Sequence, residues 1–122
     1  MNSKDFDAVV EQRLEKIRAL LIRKGAEYAY GGDRLSNFKR AAAIQQCTPE
    51  RALIGMLTKH IVSILDIIDN IEAKCPSIDL TEEKIGDYVN YGILLEALVK
   101  ERIQYEEALK TIDAAAYNKK TS

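Results

Sequence analysis

TPERALIGMLTKHIVSILDIIDNIEAKCP, residues 48–76, is the stretch on which the fold turns. Thr48 can cap a helix, Pro49 suits its first position, and Glu50 adds an acid to the first turn. Cys75-Pro76 is the stop, so the pattern predicts a helix from Pro49 to about Lys74. At roughly 100° per residue, Leu53, Leu57, Ile61, Ile64, Leu65, Ile68 and Ile71 form an apolar face, widened by Met56 and Ile67. His60 falls on that side, where a lone histidine is ordinarily a hydrogen-bonded core residue. The polar remainder is a narrow stripe of Lys59, Ser63, Asp66 and Asn70, flanked by Asp69.

Working outward, Thr81-Glu82-Glu83 opens a following helix that runs to about Lys100, or bends and continues to Ala116. Ile85, Tyr88, Val89, Leu95 and Val99 make its apolar face, extended by Tyr91 and Leu98, and Glu83, Asp87 and Asn90 its polar stripe. The connection, about Cys75 to Leu80, is short enough to make the two helices antiparallel neighbours. Upstream, Phe6, Val9, Val10, Leu14, Ile17, Leu20 and Leu21 repeat at helical spacing behind a capping Asp5. That helix reaches Lys24 or Tyr28 before the glycines of Tyr30-Gly31-Gly32-Asp33-Arg34 break it. A short helix follows, about Asn37 to Gln46. Strand alternation is absent. The expectation is an all-α bundle of four or five helices around a central antiparallel hairpin: one domain over 1–117 and a frayed tail at 118–122.

Composition agrees. The chain has 122 residues, 47% of them apolar, with 18 Lys+Arg against 19 Asp+Glu. One domain with its own core is expected, and the balanced charge excludes a broad basic footprint for duplex nucleic acid. Two cysteines without a C-x-x-C spacing fit a reducing compartment. Lys59, His60, Asp66 and Asp69 interrupt the most apolar stretch, so no membrane span is expected. The first residues lack a signal peptide's apolar run. A cytoplasmic protein follows as the expectation.

Two patterns bear on chemistry. Counted outward from the turn, Asp69 lies near Lys84 and Asp66 near Asp87. If the polar stripes face each other, Asp66, Asp69, Glu83 and Asp87 gather, and four carboxylates at close range call for a cation such as Mg²⁺. If both stripes are solvated faces, no such site forms. Residues 23–40 mix basic, aromatic, glycine and asparagine residues, among them Tyr28, Arg34, Asn37 and Lys39. Rings stack on a base and cations neutralise phosphates, so the segment suits a nucleotide. The other reading makes it a joint in which Tyr28, Tyr30 and Phe38 plug the core. Neither a P-loop nor a GxGxxG motif is present. Both central helices are apolar over more than one face, which predicts a homodimer or higher even-numbered oligomer.

Leu14 to Tyr30, Lys59 in the middle helix, and Glu83-Lys84-Ile85-Gly86-Asp87-Tyr88-Val89-Asn90-Tyr91 resemble the nucleotide modification associated domain 1 family, small helical proteins of phages and bacteria. That family is similar in layout to the MazG-type all-α pyrophosphatases, which use Mg²⁺ to split an NTP or dNTP into NMP and pyrophosphate. The resemblance implies Mg²⁺ held by Glu83, Asp87, Asp66 and Asp69. It makes Lys59 and Asp87 catalytic, with Arg34 or Lys39 on phosphate oxygens and Asn90 and Tyr91 on ligand, sugar or base. The chain departs from the MazG pattern: Asp66-x-x-Asp69 stands for E-x-x-E, Glu83 and Asp87 are four apart rather than three, and Glu27-Tyr28-Ala29 replaces Asp-Tyr-Gly. Two further readings are a noncatalytic nucleotide binder and a structural helical oligomer.

Overall fold

The computed structural model describes residues 1–28 and 30–121, apart from the side chains of Tyr28 and Thr121. It is all-α, with four α-helices and no sheet among the described residues. Helix α1 spans Ser3–Ile17, α2 Ser36–Gln45, α3 Pro49–Asp69 and α4 Ile78–Thr121. Beyond α1 the chain continues as a π-helical stretch, Arg18–Lys24, and a 3₁₀ turn, Gly25–Tyr28. No helix is long and apolar enough to cross a membrane among these residues.

Helix starts follow local hydrogen bonding. Thr48 caps α3 as expected, accepting from the Arg51 N–H at 3.1 Å. The cap of α1 is Asn2 rather than Asp5: its Oδ1 accepts from the Asp5 N–H at 2.8 Å. Ser77 rather than Thr81 starts α4, with its Oγ accepting from the Leu80 N–H at 3.1 Å. Between α1 and α2, Gly31 (φ 62°) and Gly32 (φ 81°) adopt the left-handed pair that a tight reversal requires. The Asp33 N–H closes this turn on the Tyr30 carbonyl at 3.1 Å.

The central hairpin is present, but its turn is displaced. Helix α3 ends at Asp69, five residues before the expected Lys74, because Asn70 leaves the helical conformation and its side chain donates back to the Asp66 carbonyl at 2.9 Å. Helix α4 begins three residues early and runs unbroken through Thr121. The bend allowed near Lys100 is absent, and Asn118 to Thr121, expected as a frayed tail, are helical.

Leu53, fully buried, is the centre of a core with Leu35, Phe38 and Leu98, against which Met56, Tyr91, Leu94 and Leu95 pack. Part of the apolar face assigned to α3 is not in that core. Ile61, Leu65, Ile68 and Ile71 are exposed, because α2 and α4 together cover less than the helix's apolar arc. Where α3 starts, Arg102 of α4 grips Glu50 with two hydrogen bonds of 2.8 Å. Those bonds hold the Glu50 carboxyl below its ordinary range. A depressed carboxylate pKa gives stability above the unfolded value, lost as pH falls through the folded one. Glu50→Gln should therefore cost about 0.5–1 kcal/mol at pH 7. In urea titrations the gap from the parent chain should close below about pH 4.

Candidate functional site

The residues singled out by sequence do not form one site. Asp66 and Asp69 are exposed on α3, and the turn's displacement is the reason. His60 stands opposite Asp87, Nδ1 to Oδ2 3.3 Å, which leaves Asp66, six residues further along α3, toward the closed end of the hairpin. The expected gathering of Asp66, Asp69, Glu83 and Asp87 does not occur: no group of three or more His, Cys, Asp or Glu residues placed to hold a metal is found among the described residues. Lys59 is exposed beside His60.

Segment 23–40 is built mainly as a joint. Arg34 donates to the Leu21 carbonyl and lies against Gly25, where a Cβ would collide with its guanidinium. Lys39 is held between Asp33 and Glu101, at 2.7 Å from each. Hydrogen bonding within this trio lowers the Asp33 pKa and raises that of Lys39. Phe38 is buried in the core, Asn37 is exposed, and Tyr30 carries Arg40 over its ring at 5.0 Å. The Tyr28 side chain lies outside the described residues.

The closing motif of α4 does converge. Glu83, Asp87 and Asn90 line one open cleft of about 400 Å³ between α4 and α1, together with Asp79, Glu82, Arg13 and Lys16. Arg13 donates to the Glu82 carbonyl at 3.0 Å, and Lys16 pairs with the Glu82 carboxylate. Gly86 lets Arg13 come this close: a Cβ there would meet the guanidinium Nη1 at 2.7 Å. Asn90 is buried, and its Oδ1 has no hydrogen-bond partner. Leaving a buried acceptor unmet costs about 1–3 kcal/mol, so this oxygen calls for a donor or a cation. Behind it, Tyr91 lies between Phe38 (ring centroids 6.3 Å apart) and His60 (4.9 Å). Burial, and then the Asp87 charge, push the Tyr91 phenol above its ordinary pKa and keep it neutral.

Sequence reasoning missed Arg13, Lys16, Asp79, Glu82 and Gly86. Arg13, Lys16 and Leu20 share one face of the first helical segment, at i, i+3 and i+7, and all three line the cleft. That spacing was the available signal, and only the packing of α1 on α4 gives it meaning.

No family model, curated protein or solved structure matches the chain.

Proposed function

We propose that the chain is a nucleotide-handling protein, a Mg²⁺-dependent pyrophosphohydrolase that converts an NTP or dNTP into NMP and pyrophosphate. One observation carries the reading: Glu83, Asp87 and Asn90, on one face of α4, line a cleft that also contains Arg13 and Lys16. The donor set suits Mg²⁺, which takes carboxylate oxygens and completes its shell with water and phosphate. Glu83, Asp87 and the Asn90 carbonyl oxygen would hold the ion; it would neutralise phosphate charge and generate a nucleophilic water. Arg13 has N–H donors beyond the one given to Glu82 and, with Lys16, would take the phosphate oxygens. His60 Nδ1 lies 3.3 Å from Oδ2 of Asp87 on the α3 side. Asp66, Asp69, Lys59, Arg34 and Lys39 stand outside this cleft and have no part in this form of the reading.

A noncatalytic nucleotide binder is the second reading. It is favoured by the absence of α3 carboxylates from the cleft and by the engagement of Asp87 with His60. A panel of NTPs and dNTPs assayed for pyrophosphate with Mg²⁺ or with EDTA decides between them. Release that requires Mg²⁺ supports the enzyme. A thermal shift with a nucleotide that persists in EDTA, without release, supports the binder. Neither release nor shift with any nucleotide refutes both.

A further inference from the structure

Beside the cleft, α1 and α4 frame a second cavity. It is an open groove of about 750 Å³ toward the starts of both helices, lined by Phe6, Val9 and Val10 of α1, by Ile78 and Ile85 of α4, and by Pro76 just ahead of α4. Small-ligand sites usually measure about 300–1,000 Å³. Groove and cleft are contiguous: Arg13, Lys16 and Glu82 line both. Among the described residues those three are also the groove's only charged side chains, so its charge is confined to the wall shared with the cleft. Its other polar side chains are Gln12 and Thr81, and the Thr81 hydroxyl already donates to the Ser77 carbonyl at 2.8 Å.

We infer that this groove takes the base of the nucleotide whose phosphates occupy the cleft, and that it favours purines over pyrimidines. The inference rests on the nucleotide reading and adds to it the direction of the ligand. One end of a nucleoside triphosphate is a flat ring system with apolar faces, and the other is a chain of anions. Groove and cleft divide in the same way. With the base among Phe6, Val9, Val10 and Ile85, the sugar and first phosphate pass the shared wall where Arg13 and Lys16 stand. The remaining phosphates then reach Glu83, Asp87 and Asn90, further along α4. The Phe6 ring can stack on any base, because every base has a π-face. Choosing between bases by hydrogen bonds needs donors and acceptors fixed against the base edge. The groove has only the exposed Gln12 side chain and a hydroxyl whose proton is engaged for that purpose. What separates the bases here is apolar area removed from water, which is larger for the two-ring bases.

The probes are ATP, GTP, CTP and UTP, with inorganic tripolyphosphate as a base-free competitor, each added with Mg²⁺ to the full chain. KM is read where pyrophosphate is released, and Kd where a nucleotide is bound without turnover. ATP and GTP should agree within about twofold, and CTP and UTP should be about 3–10-fold weaker. Tripolyphosphate should be weaker still. Phe6→Ala/Val10→Ala should weaken ATP by about 10-fold, narrow the gap between purines and pyrimidines, and leave the tripolyphosphate constant as it was. Phe6 is 58% and Val10 40% exposed, so the far-ultraviolet circular dichroism should not change. Should the double variant lose its fold, the four nucleotides compared on the parent chain decide. Constants that are equal for all four, that favour pyrimidines or that part ATP from GTP overturn the inference and leave the nucleotide reading standing. So does tripolyphosphate that competes as well as ATP binds, or a folded double variant that treats every probe as the parent does. Neither release nor binding with any probe overturns both.

Discussion

Leu53→Ala should lower the unfolding free energy by about 3–4 kcal/mol, the usual range for removing a large aliphatic side chain from a site that cannot collapse. Leu53 is fully buried, and among the described residues only Leu35, Phe38, Ala42, Ala52 and Leu98 join it as buried apolar residues. With so small a core, and total stabilities of about 5–15 kcal/mol for folded domains, one cavity removes a large share of the total. Ile54, its neighbour on α3, is 38% exposed and serves as the control. Ile54→Ala should cost about 1 kcal/mol or less. Urea denaturation of both variants checks this, and equal losses at the two positions would mean that the core is not centred on Leu53.

Asp87→Asn should reduce Mg²⁺-dependent pyrophosphate release by at least about 100-fold, the scale expected when a metal-holding or charge-stabilising group is lost. The amide keeps a hydrogen-bonding group opposite His60 and removes only the charge. Asp79, Glu82 and Glu83 line the same cleft, so removing one negative charge also relieves repulsion in the metal-free protein. The melting temperature should therefore hold or rise slightly. Unfolding of Asp87→Asn would instead make the Asp87–His60 contact a structural tie and would remove the metal reading.

The helices were legible because their signals are local. Thr48-Pro49-Glu50 names a helix start without reference to any neighbour, and Gly31-Gly32 names a break. The apolar spacing of α3 and α4 also predicted that they pack as a hairpin. What sequence could not supply was the position of the turn. The boundary of α3 depended on Asn70 folding back onto the Asp66 carbonyl, a competition between side chain and backbone that no periodicity records. The early start of α4 hung on Ser77 in the same way. The error of a few residues moved Asp66 away from Asp87 and separated the four carboxylates that the expected register brought together. The site residues divide along the same line. Glu83, Asp87 and Asn90 lie on one helix, so helical spacing alone put them on one face. Arg13 and Lys16 come from a helix more than sixty residues upstream and needed the tertiary packing. Arg34 and Lys39 look like phosphate ligands by residue type, but the fold sets them apart from the cleft, with one Arg34 nitrogen donating to the Leu21 carbonyl and Lys39 between Asp33 and Glu101.

The unbroken course of α4 has a mechanical side. The helix works as a lever: Asn90 sits at the cleft, Arg102 is the clamp against α3, and the tip lies about 47 Å beyond Asn90 at about 1.5 Å per residue. A tilt of about 5° about the Arg102 clamp would sweep the tip, about 28 Å further on, through roughly 2.5 Å.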